Sequence, residues 1–282
     1  MTIMERFSLG NKIAVVTGGR RGIGKAIALA LAEAGADIAI CDYVDDGELE
    51  AAASEIRNAG HKCLIAATDV SQSKQVEEMT NKVIAEFGRI DILVNNAGIS
   101  PGTPPIPDLT EDDWDKVIDI NLKGTYLCCK SVSKHMIEKQ SGSIINIASI
   151  EGLGAVRRAS SPYAASKSGV ILLTRGLAWD LGKYNIRVNA IAPGYIKTEM
   201  TRSMWDIQSP TFQETYKEIM KRFAVRVGID PVTIQNILIR DRTPLGRYGE
   251  VEEIACGALF LASQASSFAT GSTLTIDGGF LA

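Results

Sequence analysis

Seven short apolar runs alternate with helical patterns along this 282-residue chain, and that rhythm leaves few architectures open. The runs are KIAVVT (12–17), DIAICD (37–42), KCLIAAT (62–68), DILVNN (91–96), GSIINIAS (142–149), IRVNAIAP (186–193) and STLTID (272–277). Strands that are apolar on both faces must be covered on both faces, which a parallel sheet with intervening helices achieves. Right-handed crossovers then give a doubly wound, Rossmann-like, seven-stranded α/β sheet. Helices are expected from about Gly22, near 46–59 and near 72–87. No internal repeat, low-complexity tract or linker interrupts the pattern, so residues 1–282 are expected to form one domain.

One stretch, about 201–243, breaks the rhythm. Ser209-Pro210 has the chemistry of a helix cap and first turn. Phe212, Tyr216, Ile219, Met220, Phe223 and Val227 follow on one helical stripe, Gly228 ends it, and Asp230-Pro231 starts another helix through Ile239. The spacing predicts a helical hairpin inserted before the last helix and strand.

TGGRRGIGK (17–25) follows the first strand and resembles a phosphate cradle. As a Walker A loop it fits up to Lys25, but Ala26 stands where Ser or Thr must hold magnesium. As a dinucleotide loop it has what is needed: a strand, a glycine turn at Gly18, Gly22 and Gly24, and a helix N-terminus for the pyrophosphate. The G-x-G-x-x-G spacing is absent, so the loop alone also allows a plain structural turn. Asp42, at the end of the second strand and 18 residues after Gly24, can accept bonds from both adenosine ribose hydroxyls and repel a 2′-phosphate. Arg20 and Arg21 pull towards that phosphate. Asp42 is better placed, so NAD is expected over NADP, whereas Asp45 and Asp46 read as a solvated turn.

A net charge of −3 gives no reason to expect a nucleic acid or an anionic membrane as partner. MTIMERFSLGNK lacks the apolar core of a signal peptide and no run approaches 18 apolar residues, which predicts a cytoplasmic protein. Cys41, Cys63, Cys128, Cys129 and Cys256 form no C-x-x-C pair and read as free buried thiols. His61 and His135, the two histidines, read as surface residues without a ligand partner at i+4. No metal site is expected, and neither zinc nor Ser-His-Asp chemistry is supported.

SSPYAASKSG places Tyr163 and Lys167 four apart, on one helix face. A phenol titrates near 10, and an ammonium beside it favours the phenolate. Y-x-x-x-K is a weak pattern alone, but six other motifs accompany it here in order. TGGRRGIG, NNAG (95–98), INLKG with Asn121, NIAS with Ser149, the Tyr163/Lys167 pair, APGYIKTEM (192–200) and TGSTLTIDGG (270–279) together resemble the short-chain dehydrogenase/reductase family. The likeness runs from about residue 8 to 282, hairpin excluded.

The resemblance implies a dinucleotide-dependent oxidoreductase with a tetrad of Asn121, Ser149, Tyr163 and Lys167. Tyr163 is then general acid or base on the substrate oxygen, and Ser149 orients that oxygen. Lys167 lowers the phenol's pKa and binds the nicotinamide ribose, and Asn121 holds a proton-relay water. The implied cofactor contacts are Gly18, Arg20, Arg21, Gly22, Ile23 and Gly24 in the loop, Asp42 at the ribose, and Asp69 and Val70 at the adenine. They continue through Asn96, Ala97, Gly98, Tyr163, Lys167 and Pro193 to Ile196 and Thr198 at the carboxamide.

The substrate expected is a secondary alcohol or ketone such as a sugar or polyol. The alternatives are an NADPH-dependent 3-oxoacyl thioester reductase and a catalytically silent dinucleotide-binding scaffold. Arg157, Arg158 and the hairpin's Lys217, Lys221, Arg222 and Arg226 read either as solvated faces or, with the hairpin as a lid, as charge for an acidic substrate. Trp114 and Tyr126 read as packing residues. The family resemblance implies a homotetramer, and Val170, Leu173, Leu177 and Leu181 form an apolar stripe offered to it.

Overall fold

The computed structural model describes residues 2–44, 46–155, 160–206, 208–210, 213–214, 217, 239 and 242–282. Its strands are β1 (Ile13–Thr17), β2 (Asp37–Asp42), β3 (Cys63–Ala67), β4 (Ile92–Asn95), β5 (Gly142–Ile147), β6 (Ile186–Pro193) and β7 (Thr273–Ile276). They form one seven-stranded sheet in the order β3-β2-β1-β4-β5-β6-β7, and every pairing is parallel. All seven expected strands are present, each within a residue or two of its apolar run. The order reverses between β1 and β4, which opens a crevice beyond their carboxyl ends.

The sheet is covered because its strands alternate faces with a period of two. Ala14 and Val16 of β1 face one layer with Ile38, Ile40, Ile92 and Val94. That layer is closed by α1 (Gly22–Glu33), α2 (Gly47–Asn58) and, later in the chain, a helix at Val251–Ala262. Ile13 and Val15 face the other layer, against α3 (Ser73–Phe87), with Val76, Met79 and Val83. On that side lie also α4 (Glu111–Ile118), α5 (Gly124–Lys139) and α6 (Ser161–Gly182), where Val132, Met136, Ala178 and Leu181 are buried. Each large aliphatic side chain buried this way contributes about 1.5–3 kcal/mol. A short α7 (Arg202–Trp205) follows β6, and Val251–Ala262 is α8.

One polar device ties the end of the chain to the sheet. The guanidinium of Arg187, on β6, donates to the carbonyls of Leu261, Ser263 and Ala269 and to the hydroxyls of Ser266 and Ser143, at 2.7–3.5 Å. Burial lowers its pKa from the ordinary value. It serves as the C-terminal cap of α8, whose last carbonyls have no partner within the helix.

Several expectations are corrected. Trp114 and Tyr126 are not packed away; they are 37% and 43% exposed. On α6, Val170 and Leu181 are buried within the chain's own core, while Leu172 and Trp179 are the exposed large apolar residues, at 63% and 86%. Among the five thiols, none in a disulfide, Cys41, Cys128 and Cys129 are buried, but Cys63 is half-buried and Cys256 is exposed. His61 and His135 are half-buried rather than fully on the surface. Asp46 is the N-cap of α2, accepting from the backbone N–H groups of Glu48 and Leu49, rather than a solvated turn residue.

Ser209 accepts the backbone N–H of Gln213 at 3.1 Å, as a first helical turn requires. The apolar stripe of the hairpin, its second helix start at 230–231, Lys221, Arg222, Arg226, Arg157, Arg158 and Asp45 lie outside the described residues. No described helix is long and apolar enough to cross a membrane.

Candidate active site

The glycine turn between β1 and α1 is shaped by contacts that no side chain could share. Gly18 and Gly22 have φ of +64° and +56°, where glycine is favoured. A Cβ on Gly24 would lie 2.1 Å from the Gly18 carbonyl oxygen and 2.4 Å from Asn96 Nδ2. That amide explains the close packing: Asn96 Nδ2 donates to the carbonyls of Thr17 and Gly18 at 3.0 and 2.9 Å. Thr17 Oγ1 in turn accepts the backbone N–H groups of Asn96 and Ala97 at 3.0 and 3.1 Å. The NNAG turn thus clamps the glycine turn from behind. No side chain caps the N-terminus of α1 at Arg21, so its first-turn N–H groups are left for a ligand anion.

At the far end of the crevice Asp42 closes β2, and the carboxylate is held by the backbone N–H of Val44 at 3.4 Å. Arg20 does not extend from the loop as a free cation. Its Nη1 bonds to Asp46 Oδ2 at 2.7 Å and Glu48 Oε2 at 2.9 Å, and its Nε lies 3.9 Å from Asp42 Oδ1. Arg21 is exposed. Asp69 forms a tight turn into α3, its Oδ1 accepting from the N–H and the hydroxyl of Ser71 at 2.9 and 2.7 Å. Val70 packs on α5 where a Cβ at Gly124 would come within 2.7 Å of it.

Three elements deliver the tetrad: a π turn, the turn after β5, and α6, which carries both Tyr163 and Lys167. Asn121 sits in a single π turn, Asp119–Lys123, between α4 and α5. Its Oδ1 accepts the N–H of Ile99 at 2.8 Å, and its Nδ2 donates to the Ile99 carbonyl at 2.9 Å and to Ser166 Oγ at 3.1 Å. Ser166 Oγ then donates to the Tyr163 carbonyl at 2.7 Å, which links the π turn to the Tyr163 turn of α6. Ser149 caps a 3-10 turn, Ile150–Leu153, and accepts the Glu151 N–H at 3.2 Å. That turn lies so close to α6 that a Cβ at Gly152 would fall 2.7 Å from the Lys167 backbone.

Lys167 is buried, donates to the Ile147 carbonyl at 2.7 Å, and lies 5.7 Å from the centroid of the Tyr163 ring. Burial pushes its pKa from 10.5 down to about 8, so the ammonium is still mostly present at neutral pH. Gly98 leaves the space above it open: a Cβ there would be 3.2 Å from Asn121 Oδ1 and 3.5 Å from Lys167 Nζ. One cleft brings Ile23, Asn96, Gly98, Ser149, Tyr163, Lys167, Pro193, Ile196 and Thr198 together with Gly194, Met200 and Thr201. Asp42, Asp69 and Val70 lie outside that cleft.

The sequence model of the short chain dehydrogenase family matches residues 12–208. A second, described as enoyl-(acyl carrier protein) reductase, matches 228–281. The chain belongs to the short-chain dehydrogenase/reductase family. It is 40% identical over 271 residues to a 3-oxoacyl-[acyl-carrier-protein] reductase from Chlamydia muridarum, covering 96% of this chain and 98% of the other. It is also similar to a solved gluconate 5-dehydrogenase from Burkholderia cenocepacia, in complex with NADP and tartrate, with a TM-score of 0.85, 36% identity and 99% of each chain covered. A solved carveol dehydrogenase from Mycobacterium avium, in complex with NAD, superposes with a TM-score of 0.86 at 27% identity, over 97% of this chain and 98% of the other. As a short-chain dehydrogenase/reductase the protein is an oxidoreductase that uses a nicotinamide dinucleotide.

The crevice fits such a group. The cleft is lined by Ile23, in the first turn of the uncapped α1, by Gly98, which adds no side chain, and by Lys167, the one cation lining it among the described residues. Four residues that sequence reasoning passed over hold this geometry: Thr17, Gly152, Ser166 and Thr201. Thr201 forms a reciprocal cap with Thr198, their hydroxyls 3.0 Å apart. Thr17 and Ser166 lie next to residues that were singled out, Gly18 and Lys167. Only Thr201, three residues after Thr198, carries the local spacing of a cap.

Proposed function

We propose that this protein is an NAD-dependent dehydrogenase that interconverts a secondary alcohol and a ketone on a sugar, polyol or related hydroxy compound. The observation that carries the reading is the buried Lys167 ammonium beneath Tyr163, with Ser149 in the same cleft. The cofactor would lie along the α1 N-terminus, against Ile196 and Thr198, and supplies the hydride exchange. Tyr163 holds the proton that leaves or joins the substrate oxygen. Ser149 donates to the same oxygen and fixes its direction. Lys167, its charge unpaired by any carboxylate among the described residues, biases the phenol towards its anion. Asn121, its own amide fixed by Ile99 and Ser166, keeps the polar floor beneath Lys167 in place.

Asp42 supports NAD: its carboxylate closes β2, and Arg20 beside it is engaged by other acids. The gluconate dehydrogenase relative supports a polar hydroxy substrate, although it was solved with NADP. A second reading, an NADPH-dependent 3-oxoacyl thioester reductase, is favoured by the identity to the Chlamydia reductase. We also read the protein as a cytoplasmic homotetramer, supported by its free thiols and by exposed Leu172 and Trp179 on α6. The insertion at 201–243 is read as a substrate lid within a single domain.

Tyr163→Phe tests the reading. The variant is expected to lose turnover on a panel of polyols, hydroxy acids and their ketones while binding NADH as the parent does. Near-parental turnover by the folded variant overturns the assignment. An NADPH-dependent turnover of 3-oxoacyl thioesters alone selects the second reading.

A further inference from the structure

The adenosine end of the crevice holds more charge than its ribose contact requires. The Arg20 side chain is 13% exposed and is surrounded by three carboxylates, Asp42, Asp46 and Glu48. Its Nη1 is occupied by two of them, and its Nε is buried without a hydrogen-bond partner, 3.9 Å from Asp42 Oδ1. Arg21, the next residue, is exposed and makes no ion pair among the described residues. Arg20, not Arg21, is therefore the cation that stands at the carboxylate expected to meet the ribose.

Asp46 and Glu48 come from the first turn of α2, not from the loop or from β2. Asp46 divides its two oxygens: Oδ1 caps the helix through the Glu48 and Leu49 N–H groups, and Oδ2 takes Arg20. The capping bonds need only one acceptor oxygen, which an asparagine supplies equally well. The second oxygen and the whole of Glu48 are therefore free to serve another purpose. With both acids charged, the four-residue cluster is net −2; a dinucleotide bearing a 2′-phosphate brings about two further negative charges to it.

We propose that Asp46 and Glu48 are specificity-determining residues for the cofactor, occupying the Arg20 guanidinium beside Asp42 so that this end of the site rejects a 2′-phosphate. They act through Arg20 and are positioning residues. The proposal rests on the NAD-dependent reading above and deepens it: discrimination comes from α2 as well as from Asp42. Removing the two charges brings the cluster to neutrality and releases Nη1 for a phosphate oxygen, a bond of the charge-assisted kind.

The test is equilibrium binding of NADH and NADPH to the full chain, without substrate, followed by cofactor fluorescence. In Asp46→Asn/Glu48→Gln the NADPH Kd is expected to fall at least about tenfold, roughly 1.4 kcal/mol, with the NADH Kd changed less than about threefold. Glu48→Gln alone, which leaves the cap untouched, is expected to give part of that gain. Adding Arg20→Gln is expected to abolish it, and 0.5 M salt to shrink it by screening. An unchanged NADPH/NADH ratio, or the same gain in the Arg20→Gln background, overturns the proposal. Binding of neither dinucleotide by the parent protein overturns the underlying reading as well, whereas normal NADH binding with an unresponsive ratio overturns this inference alone.

Discussion

Replacing Lys167 by methionine offers a measurement of the site's electrostatics that needs neither substrate nor cofactor. Burial lowers the lysine's pKa from 10.5 to about 8. Below pH 8 the lysine is protonated both folded and unfolded, and the fold bears the full cost of a buried charge. Between about 8 and 10.5 the unfolded chain holds more protons than the folded one, so parental stability rises with pH. Above 10.5 both states are neutral and the cost is gone. At about 1.4 kcal/mol per pH unit the swing is about 3 kcal/mol. Methionine matches the apolar stem without a charge, but leaves the Ile147 carbonyl without its donor at 2.7 Å, a cost of about 1–3 kcal/mol at every pH. Lys167→Met should therefore match or exceed parental stability by up to about 2 kcal/mol at pH 7 and fall below it near pH 11. Urea unfolding of the apo protein at pH 7, 9 and 11 measures this, with both chains carrying Tyr163→Phe so that the neighbouring phenol does not titrate. A stability difference that stays constant to within about 0.5 kcal/mol across that range refutes the reasoning.

Two further changes address the cradle and the surface. Gly24→Ala puts a methyl 2.1 Å from the Gly18 carbonyl, so the turn must open and Asn96 lose its grip; NADH binding should weaken at least about a hundredfold by fluorescence titration. Gly47→Ala, with nothing within 4 Å of the added carbon, serves as its silent control. Trp179→Glu, at a position 86% exposed on α6, should lower the mass seen by light scattering at micromolar concentration; an unchanged mass argues that this face is not an interface.

The sheet was legible because its strands are short runs apolar on both faces, and the Tyr163/Lys167 pair because a step of four residues returns to one helix face. Loop residues were legible as a motif but not in their contacts across the fold. Asn96, expected along the cofactor, spends its amide on the carbonyls of Thr17 and Gly18, a contact between residues 78 or more positions apart. The Arg20 latch was hidden for the same reason, since α2 reaches the β1–α1 turn only through the fold. The π turn at Asn121 was hidden because one extra residue in a helix leaves no mark in an apolar pattern. On α6 the stripe of Val170, Leu173, Leu177 and Leu181 identified an apolar helix but not its rotation. That helix packs on β6, on the Ser149 turn and on α4, and its exposed face mixes Leu172 and Trp179 with Arg175 and Asp180, so apolar periodicity does not mark which side is buried.

Arg187 carries a consequence for how the chain is made. Four of its five acceptors lie between residues 261 and 269, more than seventy positions downstream. A nascent chain with six strands emerged from the ribosome would hold a guanidinium beside β5 with only Ser143 to satisfy it. Such an intermediate bears an open strand edge and an unquenched cation together, and its sheet cannot reach full stability during vectorial synthesis. The last helix is thus the step that commits the whole sheet. Truncation shortly before residue 261 should yield a chain that aggregates, not a smaller version of the fold.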